Sequence, residues 1–213
     1  MMITPEIMKE LCPRLTADRA KELSAIINSI CPLYGISSPD ILHEFLARLL
    51  QECLEFTSFE ENLNYSAKRI REVWPSRFKT VEEAKPYERN ARKLAMKVYG
   101  NRKDLGNLTP EDGYTFRGSG PIQMTGRGNI TRFATWMAKK FKETKTPEEW
   151  AEALRTSDVY GIHSACWLFS IGKMLIDEAL NDQLLTIVQR INGGTHGLDQ
   201  TKKYYEKCKL LIK

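Results

Sequence analysis

The sequence predicts a mainly α-helical protein with one long glycine-bearing loop region. Three observations carry this. Helix-start signals recur along the chain, at Thr4-Pro5, Thr16, Ser38-Pro39, Ser66, Thr80 and Thr146-Pro147. Apolar residues return at helical spacing, most clearly over residues 41–53. Strand-like alternation of apolar and polar residues is absent.

The elements follow in order. Thr4-Pro5 opens a short helix. Thr16 caps a second, running to about Ser29 before Cys31-Pro32. Ser38 caps a third, with Pro39 at its first position. Ser66 caps the next, through about Val73, and Pro75 follows its end. Thr80-Val81-Glu82-Glu83 reads as a capping box, as does Thr146-Pro147-Glu148-Glu149. A helix after Pro86 ends near Gly100, a C-cap signal. Further helices are expected over residues 157–171, 182–191 and 198–211. Residues 101–129 hold six glycines and are expected to be irregular, the kind of region where binding residues gather.

The third helix organises the chemistry. Ile41, Leu42, Phe45, Leu46, Leu49, Leu50 and Cys53 form its apolar stripe. At about 100° per residue Glu52 falls inside that stripe, while Glu44 and Gln51 fall on the opposite face. Glu52 is thus expected to be the one core-facing acid of this helix. Burial raises a carboxyl's pKa, which suits a general acid near neutral pH. The competing reading is a structural acid paired with a buried arginine. Nine residues on stands Glu61. One unbroken helix would turn it about 180° away and raise it about 13.5 Å. Phe56, Thr57, Ser58 and Phe59 are mediocre helix formers, so a break is expected that folds Glu61 back toward Glu52. Two carboxylates about 6.5–9.5 Å apart suit an inverting glycosidase. Alternatively, Ser58-Phe59-Glu60-Glu61 is a capping box and Glu61 only a cap.

Composition leaves the class open and removes some partners. The chain has 213 residues, five scattered cysteines and a net charge of +5. That length suits one substantial domain or two small lobes. Reduced thiols are expected, and no Cys/His spacing suggests zinc. His43, His163 and His196 read as core or surface residues. No metal and no cofactor are expected. The start, MMITPEIMKELCPRL, does not read as a secretory signal, and no apolar run approaches a membrane span. A basic balance favours anionic partners, but no nucleic-acid motif is present.

YTFRGSGPIQMTGRGN, residues 114–129, offers backbone approach at its glycines and polar groups at Gln123, Thr125 and Asn129, beside Tyr114 and Phe116. Sugar recognition uses such groups; an ordinary glycine-rich loop would look similar. No strand precedes the stretch, which excludes a dinucleotide fold. FRGSGPIQMTGRGN resembles the FRGRGPIQLTGN signature of family 19 glycoside hydrolases, which include plant-type chitinases and phage endolysins. ECLEFTSFEENLNYSAKRI resembles the same family's acid-bearing segment. YGNRKDLGN, EDGYTFRG and INGGTHGL match three more of its blocks in order, so the likeness spans about residues 45–198. The phage and bacterial branch is the nearer likeness, since the many cysteines of plant chitinases are missing.

The resemblance implies a lysozyme-like, two-lobed helical fold with a substrate cleft, in a single catalytic domain over residues 1–213 with no separate wall-binding domain. It implies inverting hydrolysis of β-1,4 bonds between N-acetylated sugars. By position, Glu52 is the general acid, Glu61 the base that activates water, and Thr125 the hydroxyl that helps hold it. Gln123, Asn129, Asn192 and Tyr65 are implied sugar contacts. The expected role is a phage or prophage endolysin acting on peptidoglycan, causing host lysis. It would be a monomer without membrane insertion, held in the host cytoplasm and released through a holin to the periplasmic wall. The alternatives are a bacterial chitinase and a wall-binding protein without activity. Four departures from the family stand out: Gln51 in place of histidine, Leu54 and Glu55 in place of two glycines, Ser119 in RGSG, and Gln200-Thr201-Lys202 where an arginine often follows the NGG block.

Overall fold

Ser38 accepts a hydrogen bond from the Ile41 amide and so opens the Pro39–Glu52 helix where the sequence sets it. The computed structural model describes residues 3–213. Those residues are mainly helical, in the manner of a lysozyme-like fold, and contain no strand beyond two isolated bridges. The same capping chemistry starts Pro5–Leu11 at Thr4, Ala17–Ile30 at Thr16 and Ala67–Val73 at Ser66. At Thr146 the box is reciprocal: its hydroxyl accepts from the Glu149 amide, and Glu149 Oε2 accepts from the Thr146 amide.

The chain divides into two compact units. The first comprises Met1–Phe59, Gly120–Gln123 and Ala153–Lys213. Its spine is Pro39–Glu52, in which every residue from Ile41 to Leu50 is buried. The Leu198–Leu211 helix packs along that spine, with Ile176–Leu180 and Leu184–Asn192 beside it. Phe45 meets Phe169 edge to face at 5.3 Å. The second unit comprises Glu60–Ser119 and Met124–Glu152. Its core gathers Leu63, Ile70, Phe78, Leu94 and Val98, with Tyr65, Trp74 and Tyr99 against it. There Arg127 holds Asp112 through two 2.9 Å bonds, which pull that carboxyl down to about 2. All five cysteines are buried free thiols.

Three expectations are corrected. Residues 127–141 form a 15-residue helix that the loop reading missed. It begins at Gly126, at φ +95°, with no side-chain cap, so the usual start signal is absent. Ile130, Phe133 and Met137 were its legible signal, three and four residues apart and all buried. The helix expected to run on to residue 171 ends at Trp167 and passes into a wider π turn, Leu168–Gly172. The third correction concerns the acids of the spine. Glu44 is 0% exposed, and neither of its carboxyl oxygens has a hydrogen-bond partner among the described residues. The Glu52 side chain is 18% exposed. The helical wheel of one helix cannot register the three others that cover its far face, so the face assigned to solvent is interior.

Candidate active site

Glu52 closes the Pro39–Glu52 helix, and Cys53 is its C-cap. The chain then turns sharply through Leu54, Glu55 and Phe56, all at positive φ, +50° to +60°. The expected break is therefore real, and left-handed. Two of these positions are the ones where the family pattern has glycine, which adopts such angles without Cβ strain. Here other contacts hold the turn. The Phe56 amide donates to Cys53 Sγ at 3.2 Å. Glu55 pairs with Arg14 and accepts from the Tyr204 hydroxyl at 2.9 Å. Leu54 is 59% exposed, so its side chain gives little in return for the strain. Leu54→Gly is expected to stabilise the protein by up to about 1 kcal/mol, the net of relieved strain and added chain entropy. Thermal melting would show a rise of about 2–4 °C; a fall would mean that Leu54 packs more than it strains.

Glu52 is not an isolated buried acid. It forms an ion pair with Arg48, one turn earlier, whose side chain is 0% exposed. Arg48 also donates to Gln51 Oε1 at 2.6 Å, to Thr201 Oγ1 at 3.3 Å and to Asn192 Oδ1 at 2.6 Å. Burial lowers the Arg48 guanidinium to about 10, which leaves it charged at neutral pH. Asn192, a sequence-expected sugar contact, is thereby brought to the acid's own cluster. Its amide donates in turn to the His196 carbonyl at 2.8 Å. Gly197 completes the arrangement. It sits at φ +76°, and a Cβ there would fall 2.7 Å from the Gln51 amide. Gln51 in place of histidine is thus a built contact that faces the INGGTHGL block. Gln123, in the same unit, sits elsewhere: at φ +55° its amide donates to the Gly120 carbonyl at 3.1 Å.

Glu61 belongs to the second unit. No helix starts after Ser58, so the capping box does not form; residues 61–65 are neither helix nor strand, and the Tyr65 amide turns back to the Leu63 carbonyl at 3.0 Å. The carboxylate is held at both oxygens instead. The Tyr99 hydroxyl donates to Oε1 at 2.6 Å, and the Gly118 amide donates to Oε2 at 2.9 Å. Burial, and then the Glu61 charge, push the Tyr99 hydroxyl well above the usual tyrosine range, so it stays a donor. The Glu61 amide donates to the Gly118 carbonyl at 3.0 Å. Antiparallel bridges join Glu60 to Ser119 and Ser119 to Met124. Beyond that pair the Gly126 amide donates to the Phe116 carbonyl at 2.8 Å, which holds the chain on either side of Thr125. Asn129 donates to the Thr125 carbonyl at 2.7 Å and accepts from Arg132. Tyr65 meets Trp74 edge to face at 5.7 Å.

The RGSG departure also has a physical reason. Ser119 is fully buried, and its hydroxyl donates to the Arg117 carbonyl at 2.8 Å, a bond that an arginine there would not make. Arg117 itself pairs with Glu60 and lies over the Tyr114 ring at 4.1 Å. Sequence reasoning missed three members of this site. Arg48 was signalled by its i, i+4 spacing to Glu52. Tyr99 and Gly118 lay inside matched blocks, but no local pattern ties them to Glu61. Among the described residues, no group of His, Cys, Asp or Glu is arranged to hold a metal.

Each unit thus presents one partly exposed glutamate on a hydrogen-bonded mount, with amide and hydroxyl side chains nearby. No family model matches the chain. A relative from Haemophilus influenzae, a glycosyl hydrolase family 19 domain-containing protein, is 32% identical over 161 residues. The matched region covers 76% of this chain and 74% of that protein. At that identity and coverage, the chain belongs to glycosyl hydrolase family 19 and is a glycoside hydrolase.

Proposed function

We propose that this glycoside hydrolase is an endolysin that cleaves β-1,4 bonds in peptidoglycan glycan strands with inversion, Glu52 acting as acid and Glu61 as base. The observation that carries the reading is the mount of Glu61. A carboxylate held at both oxygens by Tyr99 and Gly118 is aimed, as a base for water requires. Thr125 supplies a hydroxyl for the same water, and Gln123, Asn129, Asn192 and Tyr65 contact sugars. This mount has no use in a wall-binding protein without activity. The net charge of +5 favours peptidoglycan, whose stem peptides carry carboxylates, over neutral chitin.

The same reading has a single catalytic domain working as a monomer on periplasmic peptidoglycan, after release from the host cytoplasm through a holin. Among the described residues no helix is long and apolar enough to cross a membrane.

Digestion of purified peptidoglycan and of chitin oligomers tests the substrate, with mass spectrometry of the new reducing ends. New ends on peptidoglycan are expected; cleavage of chitin alone would make the protein a chitinase. Inversion of a β bond delivers the α-anomer first, which early proton NMR reads. Glu61→Gln should keep the fold, because the Tyr99 hydroxyl can accept from the new amide while the amide oxygen still accepts from Gly118. It should lower turnover about 100-fold. Wild-type turnover in that variant would remove Glu61 from the mechanism.

A further inference from the structure

Arg48 does not figure in the roles above, yet it is the most heavily engaged charged side chain around Glu52. A fully buried guanidinium is costly to keep, and it persists where several acceptors converge on it. Here they come from two distant stretches: Glu52 and Gln51 from the spine helix, Asn192 from within the INGGTHGL block and Thr201 from just after it. Thr201 in turn donates to the Gly197 carbonyl at 2.9 Å, which closes the loop onto the same cluster. The family pattern often has an arginine after the NGG block, and this chain has Gln200-Thr201-Lys202 there.

We propose that Arg48 is the positioning residue for Glu52: its planar fork fixes the carboxyl's direction and locks it to the Asn192 sugar-contact loop, from within the acid's own helix. The inference rests on the reading of Glu52 as the general acid. Only a fork can do this, because Glu52 and Asn192 are both taken by the same terminal nitrogen while Gln51 and Thr201 take the other. Several other titratable groups of the packed elements are engaged elsewhere. His43 bonds the Ile212 carbonyl, Tyr204 donates to Glu55, Tyr205 to Asp182, and Arg190 pairs with Glu178. Glu44 is buried two turns back from Glu52, Lys209 lies over the Tyr205 ring, and Asp199 and Lys203 belong to the first turns of the Leu198–Leu211 helix.

The test is the pH profile of kcat and KM on soluble glycan fragments, for Arg48→Met and Arg48→Lys, beside thermal melting of each. A general acid must be protonated to act, so activity falls as pH rises through its pKa. A neighbouring cation brings that fall to lower pH. Arg48→Met should therefore move the alkaline limb up by about one pH unit or more, and lower plateau kcat at least about 10-fold. Arg48→Lys keeps the charge but not the fork. Its limb should stay in place while kcat still falls about 10-fold and more than KM rises. Should Arg48→Met not fold, the lysine variant decides alone: wild-type kcat in it overturns the proposal. An unmoved limb in folded Arg48→Met overturns it as well. Glu52→Gln, measured alongside, separates the two readings. If that variant is inactive and the arginine variants behave as wild type, only the role of Arg48 falls. If Glu52→Gln is active, the acid assignment falls first.

Discussion

Glu52→Gln is expected to lose between about 100-fold and 10,000-fold of glycan hydrolysis while keeping the fold, the range that one positioned proton donor is worth. The amide is nearly the same size and still offers Arg48 an acceptor, but it cannot give up a proton to a leaving oxygen. The fold should survive for two reasons. Glu52 lies at the rim, 18% exposed, so its replacement is partly hydrated. Arg48 also keeps its bonds to Gln51, Asn192 and Thr201. Loss of the counter-charge should still be felt, at about 1–3 kcal/mol, because Arg48 itself has no access to water. Circular dichroism melting and the clearing of cell-wall suspensions read the two effects separately. A folded Glu52→Gln protein that clears walls at the wild-type rate would end the assignment.

The fate of the spine helix shows how far the sequence reaches. Its start was legible because Ser38 and Pro39 act within four residues of the first turn. A break was legible in Phe56, Thr57, Ser58 and Phe59, yet the turn falls mostly before them, where Leu54 and Glu55, both good helix formers, take positive φ together with Phe56. What a helical wheel cannot contain is the environment. Three other helices close over the supposed solvent face, and Glu44 rather than Glu52 becomes the buried acid. The same division holds at the site. Glu61 was found by its motif, but its partners Tyr99 and Gly118 lie 38 and 57 residues away, beyond any local spacing. The capping-box reading of Glu61 failed for that reason. Its carboxylate accepts from a remote amide and hydroxyl, and no helix follows Ser58 for it to cap. The Arg127–Phe141 helix was missed in the opposite way: Gly126 and Gly128 looked like loop, although the periodic Ile130, Phe133 and Met137 were in view.

Glu44→Met is expected to raise the stability of the protein at pH 8 and above by about 4–5 kcal/mol relative to its effect at pH 4.5. Burial pushes the Glu44 carboxyl up to about 8, the Asp182 charge adds to this, and Lys209 opposes it. The unfolded chain exposes an ordinary glutamate that ionises near the usual value of 4.5. Below pH 4.5 the carboxyl is neutral in both states and costs nothing extra. Between about 4.5 and 8 it is ionised only in the unfolded chain, so stability falls by about 1.4 kcal/mol per pH unit. Above 8 it is ionised in both states and the loss levels off. Methionine removes the titration, fills a similar volume and leaves no polar atom to satisfy. Neither oxygen of Glu44 has a hydrogen-bond partner among the described residues, so the substitution breaks no such bond. The residue lies two helical turns before Glu52, and turnover at the pH of the assay should change little. Melting both proteins from pH 4.5 to 9 is the measurement. The wild-type curve should descend across that span while the variant's descends less, and the gap should open mainly between pH 5 and 8. A gap of constant width across the whole range would mean that Glu44 does not titrate with folding, and that its burial is relieved by water or by Lys209.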